Sequence, residues 1–205
     1  MKKKPFNLFY AIVVLLGEAV WWIWYRFRFK GRKNLPKDGP LLICPNHLKA
    51  DDPFFLTFAY WPERLCYLAK EELFKKRFVA ALLRFVGCYP VRNNGNDTLA
   101  LMAGVNAVRA GQKVLVFPEG HRVHEDEGDP APYAGVGYIA LKERAPVLPV
   151  FIERRKKGFC RIVVHIGEVL RFDREGKPTR EDYAQAAETI MRAVRSMRDR
   201  VLQCE

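Results

Sequence analysis

Residues 41–55 read Leu-Leu-Ile-Cys-Pro-Asn-His-Leu-Lys-Ala-Asp-Asp-Pro-Phe-Phe. The apolar run Leu41–Cys44 that enters this stretch has the length and composition of a short buried strand. Pro53 marks the first turn of a helix, because its fixed φ and its missing N–H suit that position. His47 therefore follows the end of a buried strand, where scaffolds commonly hold functional side chains.

His47 and Asp52 are the residue types of a general base and its orienting carboxylate. On a continuous helix their spacing would place the two side chains about 140° apart, so a turn is needed to bring them together. A carboxylate that fixes the tautomer of an imidazole prepares it to remove a proton from a hydroxyl group. Two structural alternatives compete: Asp52 is also a good N-cap before Pro53, and Asp51 could be the partner of His47.

Three further motifs follow, each close to an apolar run that predicts a strand. They are Gly-Cys-Tyr-Pro-Val-Arg at 87–92, Phe-Pro-Glu-Gly-His-Arg at 117–122 and Ala-Pro-Val-Leu-Pro-Val at 145–150. Together with Asn46-His47-x4-Asp52, they resemble in order the four motifs of the glycerolipid acyltransferases, in particular the lysophosphatidic acid acyltransferase group. The resemblance extends over residues 40–170, and it has one departure: His121 stands where the third motif has Thr.

The resemblance implies an enzyme that moves a fatty acyl group from acyl-CoA or acyl carrier protein to the sn-2 hydroxyl of lysophosphatidic acid. His47 would be the general base and Asp52 would hold it, with no acyl-enzyme intermediate. Arg92 would clamp the acceptor phosphate, since a guanidinium group offers a fork of donors. The substrate-binding residues that the resemblance implies are Asn46, Lys70, Arg92, Glu119, Gly120 and Arg122. No acidic cluster in the sequence indicates a metal, and no cofactor is expected beside the acyl donor. Another lysophospholipid or glycerol 3-phosphate is the alternative acceptor.

Residues 6–25 form the longest apolar run, and aromatic side chains crowd its end as in an interfacial belt. Twenty helical residues span about 30 Å, roughly one hydrocarbon core. A single membrane span and a helix lying in one leaflet both fit, and Glu18 favours the second because a carboxylate is costly at mid-bilayer. A Trp-rich stretch where a cleavage site should lie disfavours a signal peptide.

The chain is basic, with a net charge of +12 over 205 residues, and its first 33 residues hold eight Lys or Arg against one Glu. Positive charge that flanks an apolar run suits an anionic membrane surface, and no nucleic-acid-binding signature is present. Five Cys without a Cys-x-x-Cys pair favour a reducing compartment. We therefore predict membrane association at the cytoplasmic face, with no nucleic-acid partner. A non-catalytic membrane-binding module would explain the charge but not the motifs.

Helices that alternate with short apolar strands predict an α/β fold with a mixed β-sheet flanked by helices. We expect a membrane-associating helix in residues 1–33 and an acyltransferase domain in residues 34–205. Strand ends before His47, Arg92 and Glu119 could share one edge of that sheet, where such folds bind ligands. Residues 71–86 predict one helix, whose aromatic and basic side chains form either a basic–aromatic face or part of an ordinary solvated helix.

Overall fold

The chain forms a seven-stranded sheet in the order β1-β7-β6-β2-β5-β3-β4. The computed structural model describes residues 7–91, 98–123, 128–155, 161–173 and 176–203. Neighbouring strands are parallel, except for the antiparallel pair β6 and β7. The strands are β1 (Arg28–Lys30), β2 (Leu41–Pro45), β3 (Cys66–Lys70), β4 (Cys88–Val91), β5 (Lys113–Leu115), β6 (Val147–Arg154) and β7 (Ile162–Ile166). The predicted mixed α/β sheet is confirmed.

Helices cover both faces of this sheet. Within the described ranges they are α1 (Leu8–Tyr25), α2 (Asp52–Ala59), α3 (Arg77–Val86), α4 (Thr98–Arg109), α5 (Ala134–Lys142) and α6 (Arg180–Leu202). Side chains of α1 and α2 pack on one face of the sheet, and side chains of α4, α5 and α6 pack on the other. Two short 3₁₀ turns, Arg32–Asn34 and Glu71–Phe74, complete the described helical structure.

Strand β2 lies in the middle of the sheet, between β6 and β5. Leu41 and Ile43 point into the core on the α1 side, and Leu42 and Cys44 point into the core on the α6 side. All four side chains are fully buried, as the continuous apolar run predicts for a strand covered on both faces. The segment that follows β2 is therefore attached to the buried centre of the sheet.

The structure departs from the sequence-based expectations at two places. Arg28–Lys30 forms an edge strand that pairs with β7, on the N-terminal side of the boundary expected at residues 33 and 34. A three-residue strand with two charged side chains carries too little apolar alternation to stand out from its surroundings. Residues 71–86 form a 3₁₀ turn followed by α3 rather than one helix, and α3 ends as expected at Gly87, whose φ is +103°.

Helix α1 lies against the protein along its length. Tyr10 and Val14 are buried near its start, and Tyr25 at its end packs edge-on against Phe55 at a ring-centroid distance of 5.6 Å. Trp61 Nε1–H donates a hydrogen bond of 2.9 Å to the carbonyl of Ala11. The outward face of α1 is apolar and exposed. Among the described residues, α1 is the one helix with the length and composition to cross a membrane.

The connection from α1 to the sheet is two residues long. Arg26 caps the helix in a left-handed conformation with φ 48°, and its N–H donates to the carbonyl of Trp22. Phe27 is buried in the core, and β1 begins at Arg28. The helix and the sheet are thus joined without a flexible linker.

Candidate active site

A tight turn after β2 brings His47 and Asp52 together. Asp52 is the first residue of α2, and its Oδ2 lies 3.1 Å from Nδ1 of His47. The same oxygen accepts hydrogen bonds of 2.7 Å from the backbone N–H groups of Leu48 and Lys49. Asp52 therefore fixes the turn and the imidazole at once, and it leaves Nε2 as the ring nitrogen that Asp52 does not engage.

The segment after β5 holds His47 from the other side. The backbone N–H of His47 donates to Oε2 of Glu119 at 2.7 Å, and the backbone carbonyl of His47 accepts from the N–H of Val123 at 2.9 Å. The ring of Phe117 stacks on the imidazole, with centroids 3.7 Å apart. The motifs around residues 47 and 119 thus meet because β2 and β5 are neighbouring parallel strands that end at the same edge.

Arg154, which belongs to none of the four motifs, completes this arrangement. It is the last residue of β6, the other neighbour of β2. Its Nη2 donates to Oδ1 of Asp52 and to Oδ1 of Asp51, each at 2.5 Å. Asp51 is thus a partner of Arg154 and not of His47. The available signal was a basic residue at the end of a long apolar strand, at the edge where the motifs converge.

The charge distribution keeps Asp52 ionised although it is fully buried. Burial alone would raise the pKa of Asp52, but hydrogen bonds from His47, the N–H of Lys49 and Arg154 outweigh it and hold the pKa below its usual value. Burial would likewise lower the pKa of Arg154, but its contacts with Asp52 and Asp51 raise it. An ionised Asp52 is the form that can accept from Nδ1–H and so leave Nε2 as the basic nitrogen.

Glu119 is buried beside His47 in a different electrostatic state. Burial raises its pKa to about 7, although the N–H of His47 and the nearby His121 act in the opposite direction. Its carboxyl group accepts the hydrogen bond from the N–H of His47 and so links the segment after β5 to the segment after β2. Near neutral pH this carboxyl group therefore exchanges a proton within the range in which the site would operate.

We expect the Glu119 carboxyl group to make the protein less stable as the pH rises from about 4.5 to about 7. In that window the folded state holds the proton more tightly than the unfolded chain, so the free energy of unfolding falls with pH. Glu119→Gln keeps a carbonyl oxygen for the N–H of His47 and removes the titration. The free energy of unfolding, measured by urea denaturation, should fall between about pH 5 and pH 7.5. We expect this fall to be smaller in Glu119→Gln than in the wild type, by on the order of 1–3 kcal/mol.

Glu143→Gln is the matched control, because Glu143 pairs with Arg109 on the surface of α4. We expect it to keep the pH dependence of the wild type. Equal pH slopes for the wild type and Glu119→Gln would show that the Glu119 carboxyl group does not carry the effect.

The other residues selected from the sequence fall into three groups. The Asn46 side chain continues the β2–β6 pairing: its Nδ2 donates to the carbonyl of Ile152, and its Oδ1 accepts from the N–H of the same residue. Its amide group is thus engaged inside the fold, and a role in substrate binding stays a prediction. Gly120 closes a turn with a φ of +72°, and Arg122 beyond it is exposed.

The remaining two predicted residues are Lys70 and Arg92, which belong with the strands farther along the sheet. Lys70 ends β3, and Arg92 lies outside the described residues, directly after β4. Both strands are parallel to β2, so their ends face the same edge. In the order β2-β5-β3-β4 the end of β4 lies three strand spacings from β2, about 14 Å.

Within the described ranges, no three His, Cys, Asp or Glu side chains are grouped closely enough to bind a metal ion. His121 is exposed, and His124 with the acidic residues after it lies outside these ranges. Cys44 is fully buried, and burial raises its pKa well above the usual value. It therefore lacks the thiolate character of a nucleophile.

A strand-end imidazole with an ionised carboxylate on Nδ1, held at the edge of a mixed α/β sheet, has the geometry that general-base chemistry requires. The family model described as Acyltransferase matches residues 26–153 of this chain. The matched segment includes β1 to β5 and α2, and it ends within β6, one residue before Arg154. The chain belongs to the acyltransferase family.

Curated relatives agree with the resemblance to glycerolipid acyltransferases. The chain is 26% identical over 179 residues to the 1-acyl-sn-glycerol-3-phosphate acyltransferase of Bacillus subtilis (strain 168), which covers 83% of this chain and 87% of that protein. It is 28% identical over 151 residues to the protein of that name from Borreliella burgdorferi, and it spans only 58% of the length of that relative. A third relative of that name, from Streptococcus pneumoniae, is 26% identical, and this chain spans 51% of it.

The fold is also shared with a solved structure. The 1-acyl-sn-glycerophosphate (LPA) acyltransferase PlsC from Thermotoga maritima superposes with a TM-score of 0.67 at 23% identity, over 92% of this chain and 79% of that one. The match covers nearly the whole described structure, and at this identity it establishes the architecture.

Proposed function

We propose that this acyltransferase transfers a fatty acyl group from an acyl thioester to the sn-2 hydroxyl of lysophosphatidic acid, which yields phosphatidic acid. The observation that carries the proposal is the contact between Nδ1 of His47 and Oδ2 of Asp52, at 3.1 Å. The names of the three curated relatives support the choice of acceptor.

In the proposed reaction the imidazole of His47 removes the proton of the acceptor hydroxyl through Nε2. The hydroxyl oxygen attacks the thioester carbonyl carbon, the C–S bond breaks, and the departing thiolate takes the proton back from the imidazolium. Asp52 holds the tautomer and stabilises the imidazolium that forms in between. Arg154 keeps Asp52 anionic throughout, because it pairs with Oδ1 and leaves Oδ2 to the imidazole.

The acceptor phosphate would lie along the edge at which β3 and β4 end. Lys70 ends β3 and Arg92 follows β4 in the sequence, and a guanidinium group matches the oxygens of a phosphate. Arg122 lies in the motif segment on the His47 side of the same edge. The sheet thus supports a site with the reactive hydroxyl at β2 and the anionic head towards β4.

Membrane association fits both the family and the exposed apolar α1. We infer that the protein works at the cytoplasmic face of a membrane, because its five Cys and its basic N-terminal segment suit a reducing compartment with anionic lipids. The acyl donor is acyl-CoA or acyl carrier protein, and both present a thioester on a phosphopantetheine arm.

The decisive experiment is an acceptor panel assayed with one radiolabelled acyl thioester. Lysophosphatidic acid, lysophosphatidylcholine and glycerol 3-phosphate are offered in mixed micelles, first with acyl-CoA and then with acyl carrier protein as donor. We expect labelled phosphatidic acid to form, with a kcat/KM at least tenfold above that for the other acceptors. An equal or higher value for another acceptor would replace lysophosphatidic acid in the proposal.

A further inference from the structure

Helix α3 and the turn before it form an unusually exposed apolar surface. Of the ten residues of α3 only Ala80 is buried, although six of the others are Phe, Leu or Val. Phe78 is 82% exposed, the highest value among the exposed large apolar side chains of the described residues. We call Leu73, Lys75, Lys76, Arg77, Phe78 and Leu82 the α3 surface; all of them are exposed. Such a concentration marks an interaction site rather than chance exposure.

The two apolar residues of this surface that belong to α3 are aligned along the helix with Phe85. Phe78 and Leu82 are four residues apart, and Phe85 follows three residues later, so the three side chains lie on one stripe. Most of this stripe is not buried in the core, since Phe78 and Leu82 are exposed and only Phe85 packs against the core. The stripe is thus available to a partner.

The stripe is continuous with the outward face of α1. The Phe85 ring lies 5.7 Å from that of Phe9 and 5.5 Å from that of Tyr10. Tyr10 is buried, but Phe9 is 67% exposed and begins the apolar face of α1. Both helices therefore contribute to one side of the molecule, the side opposite to α4, α5 and α6.

Positive charge borders the apolar stripe. Lys75, Lys76 and Arg77 are consecutive and exposed at the start of α3, and Glu71 and Glu72 are the acidic residues nearby in the chain. Farther along the helix, Arg84 is exposed and its guanidinium lies 5.6 Å from the ring centroid of Phe74. Aromatic and aliphatic side chains rimmed by Lys and Arg suit the headgroup region of an anionic bilayer.

We infer that the α3 surface is a second membrane contact, with Phe78 and Leu82 inserted among the lipids and the three basic residues on anionic headgroups. The inference rests on the membrane-bound acceptor of the proposed function. Two helices that touch the bilayer fix the rotation of the protein about the α1 axis, which a single helix leaves undefined. The orientation of the sheet edge with the His47 site relative to the lipids is then set by α3.

The test measures binding of the full chain to vesicles by flotation, with phosphatidylcholine alone and with about one third phosphatidylglycerol. We expect Phe78→Ser/Leu82→Ser to weaken binding to both vesicles by tenfold or more, because each side chain loses its transfer into lipid. Lys75→Gln/Lys76→Gln/Arg77→Gln should weaken binding to the anionic vesicles by about fivefold per charge and leave binding to neutral vesicles unchanged.

Leu202→Ser is the matched control. Leu202 is 62% exposed at the end of α6, which packs on the other face of the sheet. It removes the same kind of exposed side chain from the opposite side of the molecule, so vesicle binding should match the wild type. Circular dichroism of all variants should also match, since each replaced side chain is exposed.

Vesicle affinity that is unchanged in both α3 variants would overturn the inference. Unchanged vesicle affinity together with a loss of turnover restricted to the acyl carrier protein donor would assign the α3 surface to that acidic protein instead. Because flotation does not depend on turnover, weakened vesicle binding in a chain that acylates no acceptor would uphold the α3 contact while the proposed function fails.

Discussion

His47→Ala should reduce kcat for acyl transfer by about 10³-fold, with little change in the fold. The imidazole is the one group that Asp52, Phe117 and the Glu119 segment jointly position. Alanine keeps the backbone N–H that donates to Glu119 and the carbonyl that accepts from Val123. The loss should therefore appear in kcat rather than in folding, and single-turnover kinetics with acyl-CoA and lysophosphatidic acid would measure it.

His165→Gln provides the matched control for this experiment. His165 is an imidazole that also touches a carboxylate, with its Nε2 2.7 Å from Glu153, but it lies on β7 towards the edge of the sheet. We expect near-wild-type turnover from this variant. A folded His47→Ala protein that retains more than about a tenth of the wild-type kcat would show that another group takes the proton.

Arg154→Gln is expected to affect stability and activity together. Its guanidinium is the cation that compensates Asp51 and Asp52 in a largely buried position. Removing one partner of a buried ion pair leaves an uncompensated charge, which typically costs about 3–5 kcal/mol. We expect a lower free energy of unfolding and a loss in kcat/KM of about 10–100-fold, measured by urea denaturation and initial rates.

The pH dependence separates a positioning role of Arg154 from a merely structural one. Its charge helps to hold the pKa of Asp52 below the usual value, so its loss lets Asp52 take up a proton at higher pH. A protonated Asp52 no longer accepts from Nδ1–H, and the acidic limb of the kcat/KM profile should move to higher pH. The stability that ionised Asp52 contributes should likewise disappear at a higher pH on acidification.

Arg154→Lys should recover part of the activity, because a single nitrogen, Nη2, makes both contacts and an ammonium group can replace it. Arg155→Gln is the control, since the neighbouring guanidinium pairs with Glu153 instead. An Arg154→Gln protein that loses stability but keeps the wild-type pH profile would limit Arg154 to a structural role.

The sequence is informative where one short segment carries both the signal and its partner. The turn between His47 and Asp52 could be expected because both residues lie within six positions and a Pro starts the next helix. The contact of Arg154 with Asp52 spans 102 residues, and only the neighbourhood of β6 and β2 in the sheet creates it. No local pattern encodes such a neighbourhood.

Glu119 shows a second limit of inference from motifs. The motif selected Glu119 for substrate binding, which stays a prediction, and the described contact of its side chain is with the backbone N–H of His47. A carboxylate can bind a substrate or a peptide N–H with the same atoms, and only burial and distance distinguish the two. Edge strand β1 was not predicted for a different reason. Pairing with β7 stabilises it, through residues 135 positions later in the chain, and its own composition does not indicate a strand.

The two-residue join between α1 and β1 has a mechanical consequence. A membrane helix on a long flexible linker would let the rest of the protein change its position relative to the helix. Here only Arg26 and Phe27 separate α1 from β1, so such movement is restricted. The interaction with Asp51 raises the pKa of Tyr25, so the end of α1 is coupled to the carboxylate that Arg154 binds. If the protein binds the membrane as proposed, the enzyme would be held at one fixed depth, and it would meet its lipid substrates by lateral diffusion in two dimensions.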